Sequence, residues 1–159
     1  MWFFKIAGAL MLACSGAAFG AMLNRTVSAA LRQNEAMMTL LRTVRGQIEC
    51  FSLPIGQILE GCEREVIAAC GYTEEDTPHD LEEFISHVTA WDFRTVSIVS
   101  QFVAEFGRGY REDEVRACEY ALSLLEERRC ALAVELPVKK KRNMTLSVCA
   151  SLALALLLF

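Results

Sequence analysis

Four consecutive cations, Lys139-Lys140-Lys141-Arg142, stand directly before a stretch with no charged side chain, residues 143–159. No other feature constrains the fold as much. Hydrocarbon offers a backbone no hydrogen-bonding solvent, so a stretch that enters a membrane must be helical. The competing reading is a buried core helix. Such a helix needs only one apolar stripe, whereas this stretch has no charged face at all. Cations beside it belong at an anionic membrane surface. At 1.5 Å per residue the stretch spans roughly 25 Å, against a hydrocarbon core of about 30 Å. The shortfall is met by thinning of the bilayer, or by a helix that continues inward past Arg142 with its cations snorkelling.

Residues 1–23 form a second apolar stretch whose one charge is Lys5. Small residues at 18–21 suit signal-peptide cleavage, and Leu10 to Cys14 suits lipoprotein modification at Cys14. Both are opposed by an aromatic start, Trp2-Phe3-Phe4, in place of a basic one. A retained membrane helix is the preferred expectation, with Gly16-x-x-x-Gly20 letting a second helix approach closely. Arg25 and Arg32 follow this stretch and the Lys139–Arg142 run precedes the other. Both flanks therefore place the middle of the chain on the cytoplasmic side.

Mean hydropathy of +0.29 alongside 23% charged residues fits a charged domain averaged with apolar ends. The net charge of −4 gives no reason to expect nucleic acid. Residues 60–92 hold ten acids and one cation, Arg64. Within that stretch Glu74, Glu75, Asp76, Glu82 and Glu83 are the candidate partner-binding residues. The seven cysteines are odd in number and lack a Cys-x-x-Cys pair. They read as small apolar residues in a reducing compartment.

The middle of the chain repeats apolar residues at threes and fours, so the expected class is all-α, an antiparallel helical bundle between N-terminal and C-terminal transmembrane helices. The expected segments are 1–23, 24–138 and 139–159. A helix over 24–51 continues the first stretch, its stripe running Val27, Leu31, Met38, Leu41, Val44, Ile48 and Phe51 with Asn34 as one polar member. A second helix covers 54–70, with Pro54 near its first turn, a stripe of Ile55, Ile58, Leu59, Cys62, Val66 and Cys70, and Gly71 as its C-cap. Gly56 and Gly61 let a neighbour pack close. Thr77-Pro78-His79-Asp80 opens the next helix, with Thr77 as N-cap and Pro78 first in the helix. Its face holds Leu81, Phe84, Ile85, Val88 and Trp91, and the pattern runs on to Phe106; one helix or two is left open. Phe106, Gly107 and Gly109 mark the sharpest turn. A helix over 111–136 then carries alternating charges, Glu126 to Arg129, on a solvated face, and Pro137 kinks or breaks it.

Chemistry is thinly represented. His79, Glu83 and His87 are spaced to share a helix face and hold a metal, but a solvated acidic helix is the preferred reading. There is no Gly-x-Ser-x-Gly and no phosphate-binding Gly-x-x-x-x-Gly-Lys-Ser/Thr loop. Phe106 to Gly109 is too short for a phosphate cradle. No catalytic residue, cofactor or metal is expected.

Two motifs carry a resemblance. Leu40-Leu41-Arg42, with Gln47 to Ile55, looks like a helix ending in an acid, an apolar residue and a proline step; Glu49 and Pro54 are its marks. Ala104 to Asp113 looks like a Phe-Gly turn before a last long helix. With the layout of membrane segment, helical middle and membrane segment, the chain resembles the stage III sporulation protein AB family of endospore-forming bacteria. It departs from that pattern at Gly109, where the family's second glycine tends to lie nearer position 111, and at Pro137.

The resemblance implies a non-enzymatic membrane component, similar in its cytoplasmic domain to the inner-membrane platform protein of type II secretion. It would sit in the mother-cell membrane around the forespore, as part of the channel joining the two cells. The implied partners are a secretion-type cytoplasmic ATPase and other stage III sporulation channel proteins; a homo-oligomer is left open. A membrane-anchored helical scaffold or sensor unrelated to secretion is the alternative.

Overall fold

The computed structural model describes residues 2–51 and 53–158, and their side chains except at 2–7, 9, 10, 12, 13, 152 and 155–158. The side chains of the aromatic start, of Lys5 and of 155–158 thus lie outside what is described, as does Phe159. The fold is all-helical. Its elements are α1 (Trp2–Phe51), α2 (Ile55–Glu60), α3 (Arg64–Ala69), α4 (Leu81–Ser86), α5 (Phe93–Glu105) and α6 (Arg111–Leu158). One isolated antiparallel bridge joins Tyr72 and Val88. The chain divides into two compact units, residues 1–29 with 133–159, and residues 30–132. Among the described residues no helix is long and apolar enough to cross a membrane.

In the end unit α1 and α6 lie against each other on small residues. A Cβ on Gly16 would stand 2.5 Å from Ser151 Oγ and 3.0 Å from the Ser147 carbonyl oxygen. A Cβ on Gly20 would meet Met144 Sδ at 3.2 Å and Ser147 Cβ at 3.3 Å. The Gly16-x-x-x-Gly20 face therefore admits the close approach expected of it, and α6 is the helix that uses it. Contacts descend along α6 as they climb along α1, so the pair is antiparallel. Ser147 Oγ donates to the Gly16 carbonyl oxygen.

In the bundle unit the core is built from side chains. From α1 come Met37, Met38, Leu40, Leu41, Val44 and Ile48; from α2, Ile58 and Leu59. Phe84, Val99, Phe102, Cys118 and Leu125 close it from α4, α5 and α6. Burial of Met38, Leu41, Val44 and Ile48 follows the expected stripe, while Phe51 at its end is exposed.

Three expectations are corrected, and the open choice over 78–106 is settled. The 54–70 helix is two short helices, because the chain turns at Gly61 and Cys62 after α2. The break changes the helical phase, so Ile67 is buried and Val66 only partly. The next helix begins at Leu81, not Pro78: its N-cap is Asp80, whose side chain accepts from Glu83 N. An Asp side chain reaches the N3 amide directly, which leaves Thr77 and Pro78 in the preceding loop. Residues 78–106 form two helices, interrupted by 87–92, so Trp91 is off the α4 face and half-exposed. Pro137 does not end α6, which runs through it to Leu158 and carries Lys139, Lys140, Lys141 and Arg142 inside it. Lys139 pairs one turn back with Glu135 at 2.5 Å.

Gly71 and Gly107 are the glycines at positive φ, +95° and +80°, among the described residues. Cys70, not Gly71, is the C-cap of α3, with Gly71 next to it in the left-handed conformation that turns the chain; Gly107 makes the reversal after α5. Gly109 needs no such conformation, but a Cβ there would stand 2.9 Å from Asp113 Cβ, so the turn uses Gly107 for its backbone and Gly109 for space.

Candidate partner-binding site

The acidic stretch is held by backbone pairing. Thr73 N and Thr73 Oγ1 both donate to the His87 carbonyl oxygen, at 3.2 and 3.0 Å, and Thr89 N donates to that of Gly71 at 2.8 Å. Stacking of Tyr72 on Phe84, with centroids 5.8 Å apart, fixes the same edge to α4. Arg64 donates to the Glu75 carbonyl oxygen, so the one cation of the stretch secures the loop backbone.

The five candidate carboxylates are not equivalent. Glu74 faces His87 Nδ1 at 3.2 Å. Glu83 is partly buried, and its Oε2 accepts from His79 N at 2.7 Å. Glu75, Asp76 and Glu82 are exposed. The edge thus presents a patch of negative charge on a fixed loop. His79 precedes α4 and His87 caps its C-terminus, so the shared helix face expected of His79, Glu83 and His87 does not exist. Among the described residues no three His, Cys, Asp or Glu side chains are grouped to hold a metal ion.

Behind this edge lies a polar clamp. Gln33, buried in α1, donates through Nε2 to the carbonyl oxygens of Cys70 and Thr89, at 2.7 and 2.8 Å. Its Oε1 accepts from Trp91 N at 2.9 Å. One amide thereby ties the end of α3 and the α4–α5 connection to α1. A Cβ on Gly71 would lie 2.6 Å from both Gln33 Nε2 and the Thr89 oxygen, so only glycine leaves room for the clamp.

Next to it, Asn34 Nδ2 donates to Thr95 Oγ1 at 3.1 Å. Thr95 donates from Oγ1 and N to Asp92 Oδ2, at 2.8 and 3.0 Å. Asp92, the N-cap of α5, also receives Arg128 Nε at 2.9 Å and Nη2 at 2.8 Å. Arg128 and Asp92 are 11% and 13% exposed. The two hydrogen bonds from Arg128 outweigh partial burial, and with Thr95 they hold the Asp92 carboxyl down to about 2.

The clamp was only faintly legible. Asn34 interrupts an apolar stripe, which is the signal of a buried polar partner. Arg128 belongs to the run read as a solvated face, and that reading fails for it; Arg129 pairs locally with Glu126. Glu49 pairs with Arg45 at 3.6 Å, and Arg45 also reaches Glu119 at 2.8 Å. Pro54 is the N-cap of α2 and Phe106 the C-cap of α5, where it packs on Phe102 with centroids 5.1 Å apart. Cys70 and Cys118 are buried, and burial pushes both thiols up to about 12.

No protein-family model, curated protein or solved structure matches the chain.

Proposed function

We propose that the chain is a non-enzymatic membrane platform of the mother cell–forespore channel, docking a secretion-type cytoplasmic ATPase through its acidic edge. The reading joins the resemblance to the stage III sporulation protein AB family with one structural observation. Glu75 and Asp76 stand exposed on a loop that backbone pairing and Arg64 hold in place, and Glu82 stands exposed in the first turn of α4. Fixed charge steers a basic partner and loses little entropy on docking.

Anchoring of the ends in the membrane is part of this proposal. It is supported by the end unit's surface, where Met11, Phe19, Met22, Leu146 and Leu154 are 52–77% exposed. Water disfavours five such side chains left exposed on one pair of helices, and hydrocarbon accepts them. The small-residue contact of Gly16 and Gly20 with Ser147 is the packing such helices use. The bundle then lies on the cytoplasmic side, in the mother-cell membrane that faces the forespore.

Reversing Glu74, Glu75 and Asp76 together to Lys is expected to weaken co-purification of the ATPase and its dependence on salt. Unchanged binding removes this edge from the docking site. A thiol introduced in the 73–77 loop is expected to react only with reagent admitted to the cytoplasm; labelling from outside refutes the topology. Deletion of the chain is expected to stall forespore development after engulfment, which a generic scaffold does not predict.

A further inference from the structure

Along one side of the bundle unit, α5 and α6 leave an open trough. One end is a hollow of about 310 Å³ walled by Phe93, Arg94 and Ile98 from α5 and by Leu124, Glu127 and Ala131 from α6. A smaller hollow shares Ile98 and Leu124 and extends the trough to Tyr120. Phe93 is 81% exposed and Tyr120 60%. Scattered exposed apolar residues are ordinary, but two aromatics on the walls of one apolar trough form a patch. Phe93 also follows directly on Asp92, which Arg128 and Thr95 hold from two sides. An aromatic on so fixed an anchor loses little freedom on binding.

Four charged residues line the walls; Arg128 is held by Asp92 and Glu105 accepts from Gln101, which leaves Arg94 and Glu127 to meet a partner. Arg94 and Glu127 are exposed, stand on opposite walls, and form no ion pair among the described residues. A uniformly acidic partner is repelled by Glu127 and a uniformly basic one by Arg94. A surface with the same pattern, turned by a two-fold rotation, satisfies both. A two-fold that lays α5 of one copy over α6 of the other would set Arg94 against Glu127 twice, the reciprocal pairing of an isologous contact. We propose that the α5–α6 trough docks the same trough of a second copy of this chain. The inference concerns the bundle unit and stands apart from the ATPase reading.

The test uses the full chain in detergent, with oligomeric state read by sedimentation over a concentration series. The wild type is expected to show a reversible monomer–dimer equilibrium. Phe93→Ala is expected to weaken it about 30-fold, the loss typical of a central aromatic anchor; at its exposure, folding is unaffected. Arg94→Glu and Glu127→Arg are each expected to be monomeric, since each homodimer then faces like charges. An equimolar mixture of the two is expected to dimerise, because every pair in the mixed dimer is again opposite. A wild type that stays monomeric overturns the proposal. So does a dimer indifferent to all three substitutions, or a mixture that stays monomeric while its parents do.

Discussion

The end unit and the bundle unit solve the same problem, holding α1 against α6, by opposite means. In the end unit the contact is made by absence of side chain: Gly16 and Gly20 bring backbones close enough for Ser147 to bond a main-chain oxygen. In the bundle a core of apolar side chains stands between them, Arg45 reaches across to Glu119, and Gln33 and Arg128 tie the intervening elements to α1 and to α6. The first device works where burial of apolar surface supplies no drive, as between helices in hydrocarbon. The second needs water outside, because its core is stabilised by removing apolar surface from it. The contrast also bears on tolerance. Small-residue contacts fail when volume is added, and the clamp fails when a partner is removed.

The largest effect is expected at the clamp. Arg128→Met leaves the Asp92 carboxylate partly buried without its partner and should destabilise the bundle by about 3–5 kcal/mol. Thermal unfolding of the full chain, followed by circular dichroism, measures it. Adding Asp92→Asn should restore part of the loss, and strictly additive losses would show that the two groups do not act together.

Gly71→Ala comes next. It meets both positive φ and the 2.6 Å approach of Gln33 and Thr89, and about 2–3 kcal/mol is expected. A neutral result would mean that Gln33 does not hold this turn.

Acid provides a third measurement. The Asp92 carboxyl is lowered from its ordinary 3.8 to about 2, so its contribution is complete above the ordinary value and lost as pH falls through about 2. The size is about 2 kcal/mol. Arg128→Met should remove this acid dependence, since the hydrogen bonds from Arg128 are its main cause.

In the end unit, Gly16→Leu should cost about 2 kcal/mol by overpacking and move the helices apart. With Cys14 and Cys149 replaced by Ser, Gly20→Cys with Ser147→Cys should form a disulfide readily, since these Cβ positions lie 3.3 Å apart. Adding Gly16→Leu should suppress the cross-link while leaving the bundle's melting unchanged. Glu75→Gln sets the floor: an exposed side chain whose change should stay within about 0.5 kcal/mol.

Much of this was legible in one dimension. The stripe on α1, the continuity of that helix from its apolar start, the glycine turn at Gly71 and the close-packing role of Gly16 and Gly20 follow from spacing and residue type. These are local properties: a helix repeats every 3.6 residues whatever it packs on, and a glycine's freedom belongs to the residue itself. The α2–α3 break was less visible. Six-residue helices carry too few turns for a period to declare itself, so Ile67 and Val66 exchanged places.

The clamp belonged to tertiary structure. Gln33, Asn34, Asp92, Thr95 and Arg128 are separated by up to 95 positions, and nothing in the Glu126–Arg129 run distinguishes the buried arginine from the exposed glutamate before it. Burial decides which charge must find a partner, and burial is fixed only when α1, α5 and α6 close on one another. Sequence alone determined that this chain would be helical, with a charged middle between apolar ends. Packing decided which of its polar residues hold it together, because a hydrogen bond's worth depends on the water taken from it.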